Sequence, residues 1–233
     1  MKLRLSDIRR LDLQKLRLAI LPQTCVLCGR NACTTRLPVC ADCGERFRRM
    51  LKEPCADCGR PPAECVCPRN GYLRFLFWYK GQDVKHLIAS VKYRADSAEL
   101  QVLGEMLAVL CTGRYDAVTY VPRCRQSVYQ YGFDQSMLLA ESVASRLGLP
   151  MVTALVSRSV AEQKLLSASQ REKSMRGKYA AVPSAAAMYP RLLLIDDVST
   201  TGATLRACSS LLRQAGAKSV SCAALAKTPL QRT

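Results

Sequence analysis

Residues Leu192–Thr204 read LLLIDDVSTTGAT, and the organisation of the rest of the chain follows from this stretch. Four consecutive aliphatic residues, Leu192–Ile195, carry the pattern of a central strand in a parallel sheet, buried on both faces. Such a strand delivers Asp196 and Asp197 to its carboxyl edge, where open α/β sheets bind ligands. Ser199, Thr200, Thr201, Gly202 and Ala203 then form a turn ahead of a helix over Thr204–Gln214. Amides at a helix start are unpaired and donate readily to phosphate oxygens, and Thr200, Thr201 and Thr204 add hydroxyl donors. Gly202 allows the backbone to approach the anion closely. Two carboxylates would repel a phosphate, so Asp196 and Asp197 should face something else. The vicinal hydroxyls of a ribose are natural donors to them, directly or through Mg²⁺.

Downstream, Gly216 ends the helix and Ser219–Leu225 has the composition of another strand. Strand, helix, strand in that order implies a right-handed crossover and a mostly parallel sheet flanked by helices. Upstream, the aromatic run Tyr72–Tyr79 reads as a strand closed by a turn at Gly81. Val84, Leu87, Ile88 and Val91 recur three or four apart and predict a helix over Asp83–Tyr93, followed by a second over Ala98–Leu110. Asp116–Val121 is a buried-strand candidate ended by Pro122. Gln135–Leu147 is helical and stops at Gly148 and Pro150. Residues 157–184 are polar and basic and read as a surface excursion, with 160–178 a candidate cover for a polyphosphate. The α/β part is expected to span residues 71–233.

The chain carries 35 Lys+Arg against 18 Asp+Glu, a formal +17, which favours polyanionic partners such as phosphate ligands or nucleic acid. Its 233 residues, 49% of them apolar, exclude wholesale disorder, and no apolar run is long enough to span a bilayer. Thirteen cysteines are unevenly spread: nine lie within the first 67 residues. No secretory pattern precedes them, so thiolates on a metal in the cytoplasm are expected rather than disulfides. Cys25 and Cys28, then Cys40 and Cys43, form two C-x₂-C knuckles, each followed by glycine, that can place four thiolates at the corners of a tetrahedron around structural Zn²⁺. Cys55, Cys58, Cys65 and Cys67 make a second quartet, and Cys33 is left over. A closed thiolate set is structural, and metal would supply folding energy that the core-poor residues 22–70 lack. An Fe–S cluster could use the same ligands. Residues 1–21 are expected to form a basic, leucine-rich helix that docks on a neighbouring domain. The basic Arg46, Arg48, Arg49 and Lys52 lie beside the knuckles, either as a solvated face or as a nucleic-acid contact.

A second constellation, VPRCRQSVYQYGFD over residues 121–134, follows the strand ending at Val121. Arg123 and Arg125 can reach a pyrophosphate. Lys92 is a further candidate donor, and the lone His86 is read as incidental. Tyr129, Tyr131 and Phe133 beside the arginines would suit stacking and phosphate contact with single-stranded nucleic acid, or simply packing under the site loop.

Leu192–Thr204 resembles the phosphoribosyl-pyrophosphate fingerprint of type I phosphoribosyltransferases. By that resemblance Asp196 and Asp197 would hold the ribose hydroxyls and Thr200–Thr204 the 5-phosphate. The wider layout resembles the competence-associated ComF/GntX family, a cysteine-rich zinc module ahead of a phosphoribosyltransferase-like domain. The resemblance rests on Tyr79, Gly81, Leu87, Ile88, Lys92 and Tyr93, then on Pro122, Arg125, Gly132, Phe133, Gln135, Leu139 and Ala140. Gln163, Leu166, Ser167, Arg171 and Gly177 make a further block. Tyr131, Asp134 and Ser174 depart from the family pattern, and Asp134 is expected to weaken the local anion field.

The resemblance implies a bacterial protein that binds phosphoribosyl pyrophosphate or a related phosphosugar with Mg²⁺. Its implied role is in DNA uptake, transformation or single-stranded DNA processing. One alternative is an active phosphoribosyltransferase on a base or amine, in which Mg²⁺ chelates the leaving pyrophosphate. Another is a zinc-dependent adaptor to a helicase or uptake machinery.

Overall fold

In the computed structural model the described residues are 25, 28, 30–31, 40–55, 58–65, 73–93, 97–158 and 177–229. Expectations for residues 1–21, for Cys33 and Cys67, and for Gln163, Leu166, Ser167, Arg171, Ser174 and most of the cover at 160–178 lie outside them.

The first described helix, α1 (Ala41–Lys52), leads through a short 3-10 turn (Pro62–Glu64) to strand β1 (Leu73–Trp78). Helices α2 (Gly81–Tyr93) and α3 (Ser97–Leu110) follow, then β2 (Ala117–Tyr120), α4 (Arg125–Tyr131) and α5 (Gln135–Leu147). Strands β3 (Leu155–Ser157) and β4 (Tyr179–Ala181) pair antiparallel, and α6 (Pro183–Met188) comes next. The chain continues with β5 (Arg191–Ser199), α7 (Ala203–Gln214) and β6 (Ser219–Lys227). The main sheet has the order β1-β6-β5-β2, with every pair parallel, so β5 is interior as its aliphatic run requires.

Alternation along β5 builds the core on both faces. Leu193 and Ile195 join one cluster with Leu87 and Ile88 of α2, Leu103 of α3, and Leu139 and Val143 of α5. Leu192 and Leu194 point into another, with Leu205, Cys208 and Leu212 of α7 and Ala186 of α6. All four aliphatics are at most 1% exposed, so each contributes about 1.5–3 kcal/mol through burial. On the first face α3 and α5 touch closely at Gly104. A β-carbon there would lie 2.5 Å from Ser142 Cβ, and the Ser142 hydroxyl donates to the Gln101 carbonyl at 2.7 Å.

Three local readings change. Gly81 opens α2 rather than closing the preceding strand, and its φ of +72° makes the tight entry possible. Residues 125–131, for which no helix was expected, form the short helix α4, ended by Gly132 in the left-handed region. The strand seen at Leu192–Ile195 runs on to Ser199, because the two acids and Val198 continue to pair with β6 or β2 or lie between residues that do. None of the described helices is long and apolar enough to cross a membrane.

Candidate functional site

The carboxyl end of β5 carries Asp196 and Asp197, each 8% exposed. Successive strand residues point to opposite faces, so the two acids meet different neighbours. Asp197 Oδ2 accepts from Gln135 Nε2 at 2.8 Å and lies 3.4 Å from Lys92 Nζ, while Oδ1 accepts from the Val198 amide at 2.6 Å. Asp196 Oδ1 accepts from the Asp197 amide at 2.9 Å. Burial first, and the Asp197 carboxylate second, push the pKa of Asp196 well above the usual carboxylate range, with the Lys92 charge pulling it back. The pair therefore holds a proton more tightly than two exposed acids would, and a cation or ribose hydroxyls would relieve it.

From Thr200 the chain leaves the sheet. Thr200 and Thr201 are exposed, and Gly202, at φ +74°, sits at the N-cap of α7 with no side-chain cap. The Ala203 amide reaches Thr201 Oγ1 at 3.3 Å, and Arg206 Nη1 donates to the Thr201 carbonyl at 2.9 Å, which holds the loop against the helix. Open hydroxyls, a glycine turn and an uncapped helix start at one sheet edge are what an oxyanion needs.

The sequence candidates do not all stand where the pattern suggested. Ser199 is the last residue of β5 and 3% exposed, so its hydroxyl lies beneath the loop rather than in it. Lys92, expected to face a pyrophosphate, instead neighbours Asp197. Arg123 stacks on Tyr131, 4.6 Å from the ring centroid, and its Nη1 donates to the Lys92 carbonyl at 3.5 Å. Arg125 is exposed at the start of α4, and His86 is exposed on α2. Tyr131 also packs on Tyr93, with ring centroids 5.2 Å apart, whereas Tyr129 is 94% exposed.

Asp134 is not the loose negative charge the motif implied. It caps α5, accepting from the Ser136 and Met137 amides, and its other oxygen accepts from the Arg123 amide at 2.7 Å. Its charge is spent on the helix start and on the preceding turn. Gln135 was legible as a motif residue, but its hold on Asp197 comes only from the start of α5 facing β5.

The cysteines gather as their spacing suggested. The Sγ atoms of Cys25, Cys28, Cys40 and Cys43 all lie within 4.8 Å of one another, and so do those of Cys55, Cys58 and Cys65. Both groups can hold a metal ion. The Cys28–Cys40 and Cys58–Cys65 sulfur separations are 3.7 and 3.8 Å. A disulfide would need about 2.0 Å, while the edge of a zinc tetrahedron with Zn–S near 2.3 Å is about 3.8 Å. Glycines and backbone turns shape the knuckles: Cys43 and Gly44 amides donate to the Cys40 carbonyl, and the Gly59 amide to that of Cys55. Hydrogen bonds from Arg30 lower the exposed Cys28 thiol to about 6. Burial pushes the Cys43 thiol up to about 12, a cost that a bound cation would offset. The second knuckle runs directly into α1, with Cys40 at the helix N-cap and Cys43 buried in the first turn. Along that helix Arg46 pairs with Asp83 and Arg48 with Glu45, so two of the four basic residues have acidic partners.

Residues 134–232 match the phosphoribosyl transferase domain family. Over 115 residues the chain is 31% identical to competence protein F of Haemophilus influenzae, covering 48% of this chain and 50% of that protein. Over the same length it is 29% identical to the DNA utilization protein YhgH of Salmonella typhi, with the same coverage. The chain thus spans about half the length of the curated relatives it matches. A solved glutamine phosphoribosylpyrophosphate amidotransferase from B. subtilis superposes with a TM-score of 0.43 at 26% identity, over 62% of this chain and 28% of that one. A parallel sheet with the acid pair at its carboxyl edge thus coincides with a matched phosphoribosyl transferase domain over residues 134–232, in a chain about half of which is similar to competence protein F.

Proposed function

We propose that the chain binds phosphoribosyl pyrophosphate, or a closely related phosphosugar, together with Mg²⁺ at the carboxyl edge of β5. The observation that carries the reading is the juxtaposition of a buried acid pair with an open, hydroxyl-rich helix entry three residues further on. Asp196 and Asp197 would take the ribose hydroxyls or the cation, and Thr200–Thr204 the 5-phosphate. Mg²⁺ would supply positive charge between the acids and the diphosphate. Lys92 and Gln135 orient Asp197, and Arg123, whose Nη1 reaches the Lys92 carbonyl, with the exposed Arg125 would meet a pyrophosphate. Zinc is the metal that best suits the thiolate sets, since the sulfur separations match its tetrahedron and an all-thiolate shell leaves no open position.

The names of the relatives, a competence protein and a DNA utilization protein, support a role in DNA uptake or use. The basic balance of +17 and the exposed Tyr129 beside Arg125 suit contact with single-stranded DNA. Isothermal titration with phosphoribosyl pyrophosphate tests the central reading. The wild type should bind in the micromolar range and lose affinity without Mg²⁺, and the D196A/D197A variant should not bind. Equal heats from wild type and variant would remove the assignment and leave the fold untouched.

A further inference from the structure

The entry to α7 contains one peptide unit that can stand in two ways. Gly202 has φ +74° and ψ 6°, close to the third position of a type II turn. Turns of types I and II differ by a half-rotation of their central peptide, here Thr201–Gly202, and glycine accepts both. A trans peptide points its carbonyl and its amide in opposite directions. The turn adopted therefore decides which way the Gly202 amide faces.

Arg206 fixes that orientation. Helix side chains lean toward the N-terminus, and the Arg206 guanidinium folds back over the start of its own helix. Its Nη1 donates to the Thr201 carbonyl at 2.9 Å, while its backbone amide donates to the Gly202 carbonyl, also at 2.9 Å. One residue thus holds both carbonyls on either side of the Gly202 α-carbon. The Ala203 amide is turned to Thr201 Oγ1 at 3.3 Å, whereas the Gly202 amide has no partner among the described residues. With the Thr201 carbonyl held, that free amide points away from the guanidinium. Helix stability does not explain the arginine, because a cation at a helix N-terminus opposes the dipole. The first turn of α7 has no acid to offset it and no side-chain cap. Arg206 is exposed and has no acidic partner among the described residues. A β-carbon at Gly202 would sit 2.9 Å from Nη1, so the glycine keeps room for the guanidinium as well as permitting the turn.

We propose that Arg206 is a positioning residue for the 5-phosphate, holding the Thr201–Gly202 peptide so that the Gly202 amide faces the oxyanion. The inference rests on the phosphosugar reading and names what keeps its loop in the binding shape. Arg206 acts through the Thr201 carbonyl and does not touch the ligand. Without it the peptide is free to rotate, which would aim a carbonyl instead of an amide at the phosphate. Replacing a donor by an acceptor at that point repels the anion, so the residue matters more for affinity than for the fold.

Amide NMR on the isotope-labelled full chain, titrated with ribose 5-phosphate in the presence of Mg²⁺, tests this. In the wild type the Gly202 amide proton should move downfield as the ligand saturates. Arg206→Met should weaken binding about tenfold and abolish that movement, with the remaining α7 amides and the thermal midpoint unchanged. Arg206→Lys keeps a donor for the carbonyl and should restore most of both. No binding of ribose 5-phosphate to the wild type would overturn the phosphosugar reading and this one with it. Binding that leaves the Gly202 amide unmoved, or wild-type affinity in Arg206→Met, would overturn the positioning role alone. Shifts spread along α7 in Arg206→Met, with no recovery in Arg206→Lys, would make Arg206 a structural residue of the helix and also overturn it.

Discussion

Among the described residues between 25 and 65 the buried side chains are mostly thiols, Cys25, Cys43, Cys55 and Cys65, joined by Phe47, Met50 and Pro62. Between residues 73 and 227 they are mostly aliphatic, with Leu192, Leu193, Leu194 and Ile195 at the centre of a four-stranded parallel sheet. The two regions reach a folded state by different physics. The sheet region is held by the removal of apolar surface from water, which needs nothing but the chain itself. The cysteine region gathers thiols that could hold a metal ion, and on the proposed zinc reading its fold is conditional on that ion. They meet where α1 lies on the sheet edge: Phe47 packs on Phe77 with ring centroids 5.5 Å apart, and Arg46 is bound to Asp83.

The contrast can be broken by selective damage, and the largest effect should come from the metal. If the thiolates hold zinc as proposed, stripping it, or changing Cys25 and Cys40 to serine, should remove a structural contribution that is about 10–16 kcal/mol in comparable small zinc sites. Limited proteolysis should then cut between residues 40 and 65 while the core of the sheet region stays resistant. Simultaneous loss of both would show that the sheet depends on the cysteine region. The reverse lesion is Leu194→Ala, which empties a fully buried site and should cost about 2–5 kcal/mol in denaturant unfolding without releasing any metal that the thiolates hold. Gly104→Ala forces a contact between α3 and α5, where the neighbouring Ser142 Cβ is part of a packed helix, and should cost about 1–3 kcal/mol.

Smaller effects sharpen the same contrast at the site. Because Asp196 has a raised pKa, the native state keeps a proton that the unfolded chain releases above about pH 3.9. The sheet region should therefore lose stability as pH rises through that window, by at most about 1.4 kcal/mol per pH unit for one proton. Asp196→Asn should flatten the slope. Mg²⁺-dependent phosphosugar binding should move the opposite way and tighten as pH rises, since the cation competes with the same proton. Asp134→Ala, which removes a helix cap, should cost about 1 kcal/mol in thermal or denaturant unfolding.

Much of this was legible in the residues. The aliphatic run of β5, the 3.6-residue spacing of α2 and α5 and the C-x₂-C knuckles each carry a local physical pattern, and each formed where it was read. What the sequence could not convey was which distant groups meet. Lys92 and Gln135 converge on Asp197 from separate helices, and Trp78, Lys227 and Ser199 come side by side only through strand register. A capping residue such as Asp134 looks like free charge until the helix behind it is in place.

The central claim is that an oxyanion rests on the loop between β5 and α7 while the acids below hold the attached sugar. Amide hydrogen exchange, with and without phosphoribosyl pyrophosphate and Mg²⁺, tests it most directly. Slowed exchange confined to the peptide containing Thr200–Leu205, and absent in D196A/D197A, is the predicted result. Unchanged exchange in that peptide under conditions where the ligand binds elsewhere would contradict the account.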